Sequence, residues 1–295
     1  MRGRGGAAAL PFPVIAMIGP SLVLAAFVVG YPLYEIVRLS LHEVSRFGMI
    51  RAFTGWGNFA NVLTDATFQA ALWRTLIWTG FVVGGTMVIS IPVAVVLNLD
   101  FAGRGLARTI VMLPWSVSLS MASIVWLWAF NADYGVVNTF LTAIGALPRG
   151  LAWMARPETA FPIEIAIGIV VSIPFTTTIL LGGLSSIPGD IYEAARIDGA
   201  GPWMQFRMLT LPLLKSFIGI AMILNMIHVF NSFPIIWIMT QGGPNDTTHI
   251  LITYLYDLAF RLGRPGPAAA ISLIMLVIVF SFTLLYLRMQ GRERA

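Results

Sequence analysis

The sequence predicts an all-α integral membrane protein with six transmembrane helices. Only 11% of the 295 residues are charged and 58% are hydrophobic, whereas soluble domains carry about 25% charged residues. The mean hydropathy is +0.84. The uncharged residues are concentrated in six long stretches, each longer than the roughly 20 residues that a helix needs to cross the hydrocarbon core. A soluble fold of this length would lack the charged residues to cover its surface.

The six stretches give the predicted spans in order: residues 11–34, 75–99, 109–131, 165–186, 216–240 and 267–288. Helices fit better than barrel strands, because the spans are apolar nearly all round and barrel strands alternate apolar and polar residues. The first apolar stretch is too long for the core of a signal peptide, so a retained helix is expected. Residues 134–148 are uncharged but end in a proline, which predicts a loop or an interfacial helix.

Charge and composition narrow the class further. The net charge is +5, but the arginines are scattered singly between apolar blocks, so no nucleic-acid interface is predicted. Lys and Arg are denser in the segments that lie inside when the N-terminus is inside, which predicts cytoplasmic N- and C-termini. The absence of cysteine excludes disulfides and thiolate metal sites. A single transmembrane domain over residues 1–295 is expected.

The segment between the fourth and fifth predicted spans, residues 187–215, carries strong helix signals. Asp190 is expected to cap a helix, with Glu193 completing a capping box. Gly199 fits the left-handed position that ends this helix. Pro202 suits the first turn of a second short helix, which Pro212 is expected to close. The prediction is a helix, a sharp turn and a second helix on the cytoplasmic face.

The first of these two helices has features of a docking surface. Ala194 and Ala195 form a small-residue face that a partner can approach closely, and Glu193 and Asp198 place hydrogen-bond acceptors at its ends. An amphipathic interfacial helix that only links two spans is equally compatible with this composition.

The same segment resembles the EAA loop of ABC import permeases. The resemblance rests on Glu193-Ala194-Ala195, on Gly199 and on the run from Leu209 to Pro212, in which Leu211 precedes the proline and Leu209 replaces the family's usual Ile. Motifs elsewhere resemble the carbohydrate-importer branch, with its maltose-type and glycerol-phosphate-type permeases; they include Tyr31-Pro32, Gly57-Asn58-Phe59, Pro174-Phe175 and Gly242-Gly243-Pro244. The resemblance implies the type I ABC importer permease fold (MetI-like) and makes residues 187–215 the coupling loop that docks on an ATPase subunit.

The resemblance also implies the partners. These are a second homologous permease, two copies of a cytoplasmic ABC ATPase, an extracytoplasmic solute-binding protein and a sugar-type substrate, in the lipid of a bacterial or archaeal inner membrane. A P-loop requires a lysine after a glycine-rich run, whereas the only lysine here, Lys215, follows Leu-Thr-Leu-Pro-Leu-Leu. We therefore expect a transport subunit without enzymatic activity and without a cofactor of its own, with ATP and Mg bound by the partner ATPase.

Polar residues inside spans mark candidate substrate contacts, because they are costly in lipid. The fifth predicted span contains Asn225, His228, Asn231 and Ser232, and three of them, at positions 225, 228 and 232, share one helix face. Such groups suit hydroxyl-rich ligands, although interhelical hydrogen bonds worth about 0.6 kcal/mol each are the alternative. Thr177 in the fourth span is a weaker candidate, because its hydroxyl can bond to its own helix.

Two other classes of membrane protein make different demands. A transporter driven by an ion gradient is the alternative function, and it requires an intramembrane Asp, Glu or Arg, which the interiors of the six predicted spans lack, Arg288 being the last residue of the sixth. A membrane enzyme requires several titratable groups that converge on one site. In the six predicted spans the candidate for such a group is His228, and it has no partner carboxylate there. Glu164, just outside the fourth predicted span, is expected to be solvated.

Overall fold

The computed structural model describes residues 12–292, and within that range the chain is helical apart from one short hairpin. Pro11, the start of the first predicted span, lies outside the described residues, as do both chain termini. The first helix, α1, continues through a π-helical turn into α2. A hairpin pairs β1 with β2 antiparallel, with His42 opposite Phe53, and α3 follows. The ranges are α1 Phe12–Ala25, the turn Ala26–Gly30, α2 Tyr31–Ser40, β1 His42–Val44, β2 Ile50–Phe53 and α3 Gly57–Thr64.

The middle of the chain contains two long helices separated by shorter ones. Short 3₁₀ segments follow α5 and precede α8. The ranges are α4 Ala66–Asn98, α5 Arg104–Met112, its 3₁₀ extension Leu113–Ser116, α6 Leu119–Ala129, α7 Val136–Ala143, the 3₁₀ turn Trp153–Ala155 and α8 Pro157–Ser185.

The last third begins with the predicted coupling loop and ends in a long helix. Two π-helical turns lie within this last third of the chain. The ranges are α9 Gly189–Ile197, α10 Pro202–Gln205, the turn Phe206–Thr210, α11 Leu211–Phe230, α12 Pro234–Met239, α13 Leu251–Tyr256, the turn Asp257–Arg261 and α14 Pro265–Arg292.

Five helical segments of residues 12–292 are long and apolar enough to span a membrane, and a sixth is reached if one bent pair counts as a span. The predicted all-α membrane class is therefore confirmed. The five segments correspond to the predicted first, second, fourth, fifth and sixth spans, and several extend beyond the predicted ends; they are Ala16–Ser40, Ala66–Asn98, Pro157–Ser185, Pro202–Met239 and Pro265–Tyr286.

The predicted third span, residues 109–131, is not a straight helix. Arg104–Ser116 and Leu119–Ala129 meet at an angle of 95°. Val117 and Ser118 adopt extended backbone at the corner, and the Ser118 hydroxyl accepts a hydrogen bond from the Met121 amide, which caps the new helix. Pro114 lies just before this break and removes one backbone donor from the chain there.

The second helix of the predicted coupling loop also differs from the expectation. Pro212 does not close it, because the chain continues through the π-helical turn into α11. In this wider turn the Leu211 amide bonds to the Phe206 carbonyl. The wide turn gives the proline ring room that a regular α-helical turn would deny it. Residues 202–215 are therefore the start of the fifth span.

The described chain divides into two compact units by contact, and the single transmembrane domain over residues 1–295 stays a prediction. One consists of residues 12–63 and 257–275, and the other of residues 64–256 and 276–292. In the first unit the buried Asn58 amide donates to the carbonyls of Ser40 and His42, at 2.9 Å each, which fixes the hairpin to the end of α2 and the start of α3.

In the second unit α8 packs along α4 and against α11. One buried cluster centres on Trp78, Val82 and Ile167, and another on Ala94, Leu180 and Leu214. Small residues permit the close contact: a Cβ on Gly168 would meet Trp78 and Val82, and one on Gly183 would meet Phe217 and Leu214. Small residues at helix interfaces are the usual route to tight packing in membranes.

Replacing Gly183 tests this packing. A Cβ there would lie 2.5 Å from the Phe217 ring, so we expect Gly183→Ala to lower the stability of the detergent-solubilised protein by about 1–3 kcal/mol. Gly182→Ala on the same helix is the matched control, because nothing lies within 4 Å of its Cβ position. Equal thermal midpoints for the two variants would contradict the packing argument.

Candidate functional site

The second unit contains a cavity of about 470 Å³. Its walls come from α4, α6, α8 and α11 and from the corner of the broken third span. Most of the lining is apolar or aromatic, including Trp78, Trp115 and Phe175, and four side chains provide hydrogen-bonding groups: Ser172, Asn225, His228 and Ser232.

Asn225 is held in place by bonds within the helix bundle. Its amide nitrogen donates to the Thr176 hydroxyl at 2.8 Å and to the Ala221 carbonyl at 2.9 Å. The Thr176 hydroxyl in turn donates to the Ser172 carbonyl at 3.0 Å. An amide nitrogen has two donors, and both are used. The Asn225 carbonyl oxygen is therefore the group that can accept a hydrogen bond from a ligand.

The structure brings three of the five predicted substrate-pathway residues together. Asn225, His228 and Ser232 line the cavity. Asn225 and His228 share a face of α11 as predicted, whereas Ser232 lies in the non-helical link between α11 and α12. Asn231 ends α11, is exposed, and donates to the Ile227 carbonyl at 2.9 Å. Thr177 is fully buried, and its hydroxyl has no hydrogen-bond partner within residues 12–292. Neither Asn231 nor Thr177 lines the cavity.

Sequence reasoning missed Ser172, Trp115 and Phe175. Ser172 and Phe175 follow Gly168 at helical spacing, and all three line one wall. This periodicity is visible in the sequence. An apolar helix face has the same spacing whether it lines a cavity or packs against another helix, so the pattern alone does not identify a cavity. Trp115 reaches the cavity because of the corner after Pro114, for which Pro114 and the capping Ser118 were the available signals.

The predicted coupling loop forms a fixed turn. The Ala200 amide donates to the Ala195 carbonyl at 2.9 Å, and Gly199 has φ +81°, a geometry that ends many helices. The left-handed role predicted for Gly199 therefore matches the structure. The capping box does not: Pro188 is the N-cap residue, and Asp190 lies in the first turn, where its charge suits the helix dipole.

The turn is connected to the start of the fifth span and presents an exposed tip. The Tyr192 hydroxyl lies 3.1 Å from the Thr210 hydroxyl, and the Gln205 amide donates to the Ala200 carbonyl at 2.7 Å. Ile197 is 87% exposed and Trp203 is 72% exposed. The predicted loop residues Glu193, Ala194, Asp198, Gly199 and Pro212 are also exposed, and Ala195 and Leu211 are partly buried. Exposed apolar residues of this kind mark protein or membrane contacts.

Glu164 is fully buried, so the expectation that it is solvated was wrong. The helix α8 begins at Pro157 and carries Glu164 into the bundle. Its Oε1 accepts a hydrogen bond from the Thr240 hydroxyl at 2.8 Å, and that hydroxyl lies 2.7 Å from the Thr248 hydroxyl. The network joins α8 to the segment that follows α12.

Arg74 likewise lies within a spanning helix, because α4 begins before the predicted second span. Its guanidinium donates to the Asp246 carbonyl at 2.6 Å. Neither Arg74 nor Glu164 lines the cavity. These two side chains hold the segment after α12 in place, and they give no support to an ion pathway through the cavity.

A bundle of membrane-spanning helices around a cavity, with a projecting turn between two spans, defines a membrane transport protein. Residues 86–294 match the family model described as "Binding-protein-dependent transport system inner membrane component". The chain belongs to this family and is an ABC transporter permease, a multi-pass protein of the inner membrane. The family predicted from the coupling loop is therefore confirmed.

Relatives match over nearly the whole chain. A probable ABC transporter permease protein of Brucella suis biovar 1 (strain 1330) is 54% identical, covering 94% of this chain and 96% of the relative. The trehalose/maltose transport system permease protein MalF of Thermococcus litoralis is 34% identical, covering 94% and 93%. A chain of a bacterial alginate ABC transporter, solved with an alginate-bound periplasmic protein, superposes with a TM-score of 0.83 at 24% identity, covering 96% and 95%. This last match supports the fold.

The buried Glu164 network can be tested by Thr240→Val, which keeps the shape and removes the hydroxyl. The variant leaves a buried carboxylate oxygen without its donor, so we expect a loss of about 1–3 kcal/mol of stability. Thr178→Val is the control, because that hydroxyl is on an exposed residue and bonds to the Pro174 carbonyl of its own helix and to the Met112 sulfur, with no buried carboxyl group as partner. A thermal midpoint for Thr240→Val equal to that of the control would show that the network contributes nothing.

Proposed function

We propose that the chain is the membrane-spanning subunit of an ATP-driven sugar importer, and that it works with a second permease, two ABC ATPase subunits and an extracytoplasmic binding protein. The observation that carries this proposal is the exposed turn around Gly199 in a chain of this family. An exposed turn of fixed geometry is suited to binding another protein.

The geometry of the turn suits the transmission of movement. Its hydrogen bonds join α9 to the beginning of the fifth span, so a push on the exposed tip would be carried into α11 rather than absorbed by a flexible loop. The helix α11 carries Asn225 and His228 on the cavity wall. Movement at the turn would therefore change the cavity, which is what coupling requires.

We place nucleotide binding on the partner subunits. The sequence has one lysine, and it lies outside any P-loop. ATP and Mg would bind between the ATPase subunits, and the coupling turn would face them from the cytoplasmic side. The turn links α8 and α11, the fourth and fifth of six spans. In a six-span chain this link lies on the same side as both termini, so a cytoplasmic turn agrees with the predicted cytoplasmic termini.

The cavity supports a hydroxyl-rich substrate. Amide, imidazole and hydroxyl groups accept and donate hydrogen bonds, and aromatic rings provide apolar faces against which sugar rings can pack. The Thermococcus relative is named for trehalose and maltose transport, which agrees with a sugar-type substrate here.

The division of labour is tested by reconstitution in lipid vesicles. We expect the purified chain alone to hydrolyse no ATP, and the complete assembly to import its solute only when ATP and the binding protein are both present. The measurements are phosphate release and solute accumulation. ATP turnover by the isolated chain, free of contaminating ATPase, would overturn the proposed assignment of roles.

The coupling turn is tested by Gly199→Ala. A Cβ in the left-handed conformation costs about 1–2 kcal/mol, so the turn should reorient and the ATPase should be lost from the purified complex or be uncoupled from uptake. Gly201→Ala is the matched control, because Gly201 is also exposed but has φ −67°. Normal ATPase retention together with normal uptake in Gly199→Ala would refute the coupling role, provided the control behaves as wild type.

A further inference from the structure

The cavity has no charged wall. Among the described residues that line it there is no Asp, Glu, Lys or Arg, and His228 is its one imidazole. A site that binds an anionic solute normally pairs it with Arg or Lys. This lining provides neither.

Nearby charged side chains in the same unit are engaged elsewhere. Arg74 donates to the Asp246 carbonyl, Glu164 accepts from Thr240, and Arg108 donates to the Leu97 carbonyl at 2.9 Å. Turning any of them toward the cavity would break these bonds. The neutral lining is therefore built into the packing.

One feature of the cavity wall, the N-terminus of α6, favours negative charge, but it contributes less than the desolvation of an anion costs. The corner of the broken span brings Leu119 and Ala122, in the first turn of α6, to the cavity. A helix N-terminus contributes about 0.3–1 kcal/mol to the binding of an anion. Desolvating an ionised group costs several kcal/mol, and the Ser118 hydroxyl already occupies one of the amides. The helix end cannot offset that cost.

The groups that are present favour an uncharged ring. The Trp115 and Phe175 rings lie 5.8 Å apart at an angle of 37°, and both line the cavity. Their faces carry negative potential, which disfavours anions and accepts the apolar face of a sugar. The Asn225 carbonyl and the Ser232 hydroxyl can bond to the ring hydroxyls.

We infer that this cavity selects uncharged sugars or polyols over phosphorylated, sulfonated or uronic ones. The inference rests on the proposed function and narrows its substrate class. It separates this chain from the alginate transporter of the same fold, which imports an acidic polysaccharide.

The test uses the complete transporter with its own binding protein in vesicles. The external solution contains a defined mixture of neutral mono- and disaccharides and polyols together with phosphorylated, sulfonated and uronic sugars. Solutes that accumulate with ATP are identified by mass spectrometry. We expect only neutral solutes. Accumulation of an anionic sugar as the main solute overturns the inference alone, whereas no ATP-dependent accumulation of any solute overturns the proposed function and the inference with it.

A charge placed in the cavity gives the second test. His228→Arg adds a permanent cation to the wall, and we expect uptake of the neutral solute to fall about tenfold or more. Asn231→Arg introduces the same charge three residues along, at an exposed position that the structure places outside the cavity, and uptake should be retained. Both variants should still co-purify with the ATPase. Unchanged uptake by His228→Arg would remove the cavity from the substrate path and overturn the inference.

Discussion

The close packing of α8 against α4 and α11 is the interaction on which the rest of the structure depends. In a bilayer the apolar faces of helices gain little by leaving lipid, so association has to come from close contact and from interhelical hydrogen bonds. Both are present. Gly168 and Gly183 allow neighbouring side chains to approach the α8 backbone, and the Trp78 indole donates to the Val229 carbonyl at 2.9 Å. This three-helix contact fixes the cavity wall and carries the coupling turn at its end.

The same contact explains where polar groups are tolerated. The Thr86 and Ser90 hydroxyls of α4 reach the Ile169 and Ile173 carbonyls of α8, and Asn225 of α11 bonds to Thr176. Most polar side chains in the bundle interior are thus shared between two helices or face the cavity. Thr79 and Thr177 are exceptions: their buried hydroxyls have no partner among the described residues, and we have no physical account of them.

The broken third span shapes the cavity. In a straight helix over residues 109–131, Trp115 and Ala122 would share one face of a single rod. The 95° corner instead brings them to the cavity from two differently directed helical segments. Non-helical backbone at membrane depth is tolerated where it lines a cavity or is buried in protein, and Val117 and Ser118 lie in such a place.

The sequence by itself determined the class, the approximate positions of the spans and the turn at Gly199. These follow from local rules: hydrocarbon thickness sets the length of an apolar stretch, and only glycine adopts φ +81° at little cost. The shared face of Asn225 and His228 follows from helical periodicity in the same way. Only the tertiary structure decided that Glu164 is buried, that Pro212 lies within a continuous helix and that Asn231 points away from the cavity. Each of these depends on which neighbour faces the residue, and no local pattern encodes that neighbour.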